Sequence, residues 1–282
     1  MTFSPFDSPI YSTLYGDPEV RALFTDSAEV RAMLLVEGAL AKVQGELGLI
    51  PLDSALYIHR ASMEVQVDPA GLAAGMAETG SPVLAMVAAY GKAMEAPDHA
   101  KYIHWGALSQ DIQDTALVLR LRQYLRVIGT RLDTLSARDE FTSLEKFSQQ
   151  IESVKLRLLV VRFIGDGTHG DAPKVESSLA DALKLSVPTT PPISAHDVVI
   201  ELATVISKIT DALAKDGRGF PRTMHSEVLD TMALFTDSQL DQLQQKHAQN
   251  SVIFALEKLA LAQLCIAGSV ALKHAQTMVD KA

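Results

Sequence analysis

Apolar residues recur three and four apart along almost the whole chain, the spacing of one face of an α-helix. From Glu29 to Leu49 the series is Val30, Met33, Leu34, Leu40, Ala41 and Leu47. Asp26 or Ser27 can accept from the first free N–H groups, and Gly48 followed by Pro51 marks the end. Pro69 to Met94 predicts two short helices broken at Gly80-Ser81-Pro82. Ser109 to about Leu135 contains one glycine and no proline. Leu117, Val118, Leu121, Leu125, Ile128, Leu132 and Leu135 give it a continuous stripe. A helix of that length needs partner helices to cover the stripe. Two further helices follow, Ala195–Lys215 and Gln239 to about Asp280, the second with a break expected near Asn250-Ser251 or at Gly268. Leu156–Ile164 has the composition of a strand, but its helical neighbours predict a buried helix. The pattern predicts an all-α fold, with an N-terminal helical domain over 1–104 and a bundle of long helices over 105–282.

Composition narrows the function. The chain has 282 residues and a net charge of −9, from 25 basic and 34 acidic side chains. An acidic chain lacks the basic footprint that sequence-independent nucleic-acid binding needs. The single Cys265 excludes an internal disulfide framework and a multi-cysteine zinc site. The N-terminal stretch has no basic segment followed by an apolar run, and no apolar run approaches a membrane span, so a soluble cytoplasmic protein is expected.

The stretch from Tyr102 to Ala116 carries the most chemistry: His104-Trp105-Gly106-Ala107-Leu108-Ser109-Gln110-Asp111 runs into the longest helix. A helix start offers free N–H groups and the positive end of the dipole, which suits a carboxylate ligand. The Ser109 hydroxyl and Gln110 amide can add hydrogen bonds, and His104 can act as acid or base near neutral pH. The alternative is purely structural, with Ser109 as an N-cap and Asp111 and Asp114 as dipole-favoured residues of the first turn. Gly165-Asp166-Gly167-Thr168-His169-Gly170 is a glycine-rich connector, without the Gly-Lys-Ser/Thr of a phosphate loop. His169, His225, His247 and His274 are scattered and predict surface or structural roles. Arg120, Arg122, Arg126 and Arg131 spread around their helix and predict solvated or subunit-facing positions. Cys265 and the methionines read as core packing.

Tyr102 to Ala116 resembles the first signature region of the fumarase/aspartase superfamily, and in particular that of bacterial 3-carboxy-cis,cis-muconate cycloisomerases. The similarity extends through Asp114 to Leu119, Leu23 to Asp26, Glu37, Ala41 and Glu46 to Pro51. It continues at Gly80 to Val83, Leu179 to Leu183, Glu201 to Ala203, Ser226 to Val228 and Ala255 to Leu261. The resemblance implies an all-α fumarase/aspartase-like fold and a homotetramer whose active sites each draw segments from three subunits. It implies a cycloisomerase of aromatic-compound degradation, acting on a small polycarboxylate without metal or organic cofactor. His104 would be catalytic, and Ser109, Gln110, Asp111 and His196 would bind substrate. The substituent at C3 would be a carboxylate or a sulfonate. The runner-up is another superfamily lyase, such as an adenylosuccinate-type enzyme that cleaves a succinyl group from an amine.

The sequence departs from the superfamily in four places. Its second signature has only Ser136 to Phe141 in its place, and its mobile third signature loop is absent after Val228. Leu108 stands for a threonine, and His196-Asp197 for an Arg-Asp pair. Two explanations follow. The protein has lost the segments, and would then be a catalytically silent tetrameric scaffold. Alternatively, the encoded protein carries them and is heavier than 30.5 kDa.

Overall fold

A computed structural model of the chain describes residues 4–167, 171–188, 195–244 and 250–281. Its helices are α1 (Ser12–Tyr15), α2 (Pro18–Ala22), α3 (Asp26–Glu46), α4 (Leu52–Glu64), α5 (Ala73–Thr79), α6 (Val83–Ala93) and α7 (Pro97–Ala100). They continue with α8 (Ser109–Ser136), α9 (Glu145–Leu158), α10 (Ala172–Leu183), α11 (Ala195–Gly217), α12 (Met224–Gln244) and α13 (Asn250–Asp280). Among the described residues there is no strand, only a single parallel bridge between Val160 and Ser186. The all-α expectation holds. None of the described helices is long and apolar enough to cross a membrane.

The helix boundaries follow local chemistry. Thr25 caps α3 by accepting from the Ala28 N–H. Gly80 ends α5 in a left-handed conformation that a side chain would strain (φ +72°). The α8 stripe is buried within the chain itself: Leu121, Leu125, Ile128, Leu132 and Leu135 are each at most 3% exposed. Each such side chain stabilises the fold by about 2 kcal/mol relative to exposure. Two expectations are corrected. The predicted helix over Leu156–Ile164 stops at Leu158. From there the chain is extended, Ser186 donating to the Leu159 carbonyl and Val161 to that of Ser186. Val161 and Phe163 turn inward while Ile164 is exposed. Gly268 does not break α13; a Cβ there would lie 2.4 Å from the Ile206 side chain, so this glycine admits close approach of α11.

The chain divides into two compact units, and their boundaries differ from the expected 1–104 and 105–282. One comprises Met1–Phe24, Arg122–Leu158 and Ile193–Ala282; the other comprises Thr25–Leu121 and Leu159–Pro192. The first unit packs α11, α12 and α13 on one another, with α9 against α11. A buried polar knot ties its helices: Arg131 of α8 bonds Asp17, Glu19 and the Ser269 hydroxyl. Burial alone would raise the Asp17 carboxyl, but Arg131, Ser269 and the Val20 N–H hold it below its ordinary value. Where the second signature would lie, Arg138 closes a turn on Leu135 and Phe141 is fully buried. The Phe141 ring stacks on Phe220 (centroids 5.8 Å apart), in the short loop before α12.

The second unit is built on α3, which packs against α4 and α10. Gly38 and Gly45, two turns apart on α3, let α4 approach closely. Cβ atoms there would fall 2.0 Å from Ser62 Oγ and 2.3 Å from Ala55 Cβ.

Candidate functional site

The signature stretch lies in the second unit, folded over α3. His104 and Gly106 both have left-handed backbones (φ +60° and +65°). For a histidine that conformation costs on the order of 1–3 kcal/mol and needs support. Glu37, at the centre of α3 with a fully buried side chain, supplies it. Its Oε2 accepts the His104 backbone N–H at 3.1 Å, and its Oε1 lies 2.7 Å from His104 Nδ1. One carboxylate thus fixes both the turn and the ring. Seven residues on, on the same face of α3, Gln44 donates through Nε2 to the Trp105 carbonyl at 2.6 Å.

Burial alone would lower the His104 pKa. The hydrogen bond and charge of Glu37, with the further charges of Asp111 and Asp166, outweigh it and raise the value above that of an ordinary histidine. With Nδ1 committed to Glu37, Nε2 is the nitrogen left for acid or base work.

Asp111 is the third residue of α8 and is 2% exposed. Its Oδ2 accepts the Leu108 N–H at 2.9 Å, turning the chain into the helix as the far half of a capping box does. The same carboxylate accepts the Ile164 N–H at 2.9 Å and the Gly165 N–H at 3.0 Å. Asp166 in turn donates its N–H to the Gly106 carbonyl at 2.9 Å. The glycine-rich segment, expected to be a plain connector, is therefore stitched to the signature stretch. Its Thr168, His169 and Gly170 lie outside the described residues, as does His247.

The five expected site residues separate. His104 and Asp111 belong to one polar network around α3, and Asp111 is held there as a positioning group. Gln110 is exposed and bonds Asp114 one turn on. Ser109 is the first residue of α8, after the cap position, and its hydroxyl has no hydrogen bond within the described protein. Leu108, at the cap position, has no side-chain acceptor to offer. His196, the second residue of α11, belongs to the other compact unit. Sequence reasoning missed the roles of Glu37 and Gln44. Their signal was two polar residues seven apart on an otherwise apolar helix face.

The remaining singled-out residues are structural. Arg120 is buried beside Glu29 (3.8 Å) and Arg131 sits in the knot with Asp17, so these two arginines of α8 are held by separate acidic partners. Cys265 is fully buried against Tyr124, and burial raises its thiol pKa. Met33 and Met86 are core, whereas Met63 is half exposed.

No family model matches the chain. It is 28% identical over 257 residues to a 3-carboxy-cis,cis-muconate cycloisomerase of Pseudomonas putida, covering 77% of this chain and 61% of that one. It is 28% identical over 305 residues to an N-acetyl-S-(2-succino)cysteine lyase of Enterococcus italicus, covering 94% of this chain and 66% of that one. The chain thus spans less than two thirds of the length of these curated relatives. The second alignment is longer than the 282 residues of this chain, so that relative has internal stretches with no counterpart here. The fold superposes on the crystal structure of the 3-carboxy-cis,cis-muconate lactonizing enzyme from Pseudomonas putida with a TM-score of 0.85 and 26% identity. That match covers 97% of this chain and 76% of the other. The chain is similar in sequence to 3-carboxy-cis,cis-muconate cycloisomerases and shares the all-α fold of the lactonizing enzyme on which it superposes.

Proposed function

We propose that this protein is an intramolecular lyase that closes a 3-carboxy- or 3-sulfo-cis,cis-muconate to its muconolactone. The observation that carries this reading is the Glu37–His104 pair set immediately ahead of the α8 start, in a stretch similar to that family. In the reaction a substrate carboxylate oxygen bonds to an alkene carbon. The displaced π pair becomes enolate-like on the conjugated acid, and a proton adds at carbon; starting from the carboxylate the closure takes up one proton, delivered by the protein's acid and restored from solvent. Ser109 and the first α8 amides suit the anion, and His104 Nε2 suits the proton.

His104 sits among Glu37, Asp111 and Asp166. A polyanion therefore needs cations from elsewhere, which fits a site completed by other subunits of a homotetramer. The superfamily's usual proton shuttle, a serine of the third signature loop, is absent from this sequence. Ultraviolet detection of lactone formation from 3-carboxy- and 3-sulfo-cis,cis-muconate tests the reading; no turnover of either overturns it.

A second reading is favoured by the greater coverage of this chain in its match to the succinocysteine lyase. In it a C–S or C–N bond to a succinyl group breaks and fumarate leaves. Release of fumarate from N-acetyl-S-(2-succino)cysteine, without lactone formation, selects it. Turnover of neither substrate class leaves the silent scaffold.

A further inference from the structure

The first unit holds a pair of histidines that the proposed chemistry does not use. His225 is the second residue of α12, and His274 lies buried near the end of α13. Their Nδ1 atoms are 2.8 Å apart. His274 Nε2 is 2.7 Å from the Leu14 carbonyl of α1, and Lys281 Nζ is 3.2 Å from His225 Nε2. A carbonyl only accepts, so His274 carries its proton on Nε2 and its Nδ1 is bare. The proton between the rings therefore belongs to His225 Nδ1. That leaves His225 Nε2 bare, to accept from the Lys281 ammonium. Donation runs one way, from Lys281 through His225 and His274 to Leu14. All four ring nitrogens are satisfied in this way only while both rings are neutral.

An added proton has no place in this chain of bonds. The first sets an N–H against the Lys281 ammonium. The second sets two N–H groups against each other across 2.8 Å, with a positive charge on each ring. The charges acting on the rings give no relief. They are Lys281, Lys273 and the partner histidine, and each disfavours a second positive charge. Lys273 is held in place by the Gly16 carbonyl. The acids nearest in sequence are engaged elsewhere: Glu227 with Arg222, and Asp280 with Gln276 and Arg138.

We propose that the pair is a proton-operated clasp. With both rings neutral it fastens the first turn of α12 to α13; with both protonated it releases α12. The bond to Leu14 survives, because a charged His274 still donates from Nε2.

Ring-nitrogen NMR and backbone hydrogen exchange of the full chain test this. At about pH 8 the expected tautomers are Nδ1–H for His225 and Nε2–H for His274. Between about pH 7.5 and 5, the Val228 and Leu229 amides should lose protection about tenfold, after correction for intrinsic exchange, while those of α11 hold. His225→Gln keeps an amide that donates to His274 Nδ1, and the amide turns to accept once that nitrogen is protonated. Its α12 amides should therefore change less than about threefold over the same range. Lys281→Met, at an exposed position, removes the cation facing His225 Nε2, so the first ring titration should move to higher pH. The opposite tautomer at either ring overturns the clasp, as does acid opening of α12 that is the same in His225→Gln as in the unaltered chain. Protection that does not change with pH in the unaltered chain overturns it too, as does a ring titration unmoved by Lys281→Met. No outcome depends on turnover, so the clasp and the lyase reading fail separately.

Discussion

Glu37 grips His104 at both ends of one residue, its two carboxylate oxygens taking the backbone N–H and the ring Nδ1. The folded pKa of His104 is raised above that of the unfolded chain. The folded state therefore binds more protons through the window between the two values. The stabilisation is fully present below about pH 6.5 and is lost as pH rises through the folded value. Thermal melts from pH 5.5 to 8.5 should show this decline, and Glu37→Gln should remove it while lowering stability by about 2 kcal/mol at the acid end. If the protein is a lyase, the same change should shift the pH–rate profile to lower pH, and His104→Gln should cost about 10²–10⁴ in kcat.

Asp111 makes a different prediction because its carboxylate accepts from three backbone N–H groups. Asp111→Asn keeps the shape but presents an NH2 toward at least one donor. A loss of about 3 kcal/mol in urea unfolding is expected, since hydrogen bonds to a charged group are worth about 1.5–3 kcal/mol each. Hydrogen exchange localises it: the Ile164 and Gly165 amides should lose protection before the α3 amides do. Global loss without local opening would show that the carboxylate does not pin this loop.

Most helices were legible because periodicity is a local property. The α8 stripe reads directly as a buried face, and Gly80 reads as a stop. The missed features depend on partners distant in sequence. Glu37 looks like one tolerated acid on a helix until His104 arrives 67 residues later; Gln44 likewise waits for Trp105, 61 residues on. The run from Leu159 to Ile164 was misassigned because its extended form is held by Ser186, which no window around it contains. The units were illegible for a related reason: Leu159–Pro192 groups with Thr25–Leu121, and no compositional seam marks either crossing.

Ser109 separates the capping role from the binding role. Its hydroxyl has no partner in the described protein, so Ser109→Ala should change stability by no more than about 0.5 kcal/mol. Citrate or substrate affinity should fall by about 1–2 kcal/mol, the worth of one charge-assisted hydrogen bond. Melts with and without ligand read both quantities. A destabilised protein with unchanged ligand affinity would restore the structural alternative.

In the first unit, Arg131 neutralises the buried Asp17. Arg131→Leu leaves that carboxylate buried without its cation and should cost about 3–5 kcal/mol. Asp17 has a lowered folded pKa, so its stabilisation is present above about pH 3.9 and is lost as pH falls through the folded value. Arg131→Leu should flatten the acid limb of the stability curve. His225 and His274 give the opposite sign to His104. Their ring Nδ1 atoms are 2.8 Å apart, and the pKa of each is lowered, chiefly by burial. Their contribution is full above about pH 6.5 and falls as pH drops through their folded values. His225→Gln should therefore improve relative stability at pH 5.

The last prediction concerns assembly. The α8 stripe, which needs partner helices, is covered within the chain from Val118 to Leu135. The long helices instead leave Leu156 of α9, Leu234 of α12 and Leu259 of α13 at 78%, 76% and 65% exposure. Exposed apolar surface marks an interaction site where it forms one contiguous patch, not where residues are scattered singly; whether these leucines share such a patch is what the assembly state reads. A homotetramer that covers them is expected by light scattering at micromolar concentration, and Leu234→Asp should shift the population toward smaller species without unfolding the chain. Intact mass should be read on the same sample. A value of 30.5 kDa together with a tetramer and no turnover would establish a scaffold that has lost its two signatures. A heavier chain would restore the segments that the lyase reading lacks. A stable monomer would remove the shared active site on which that reading depends.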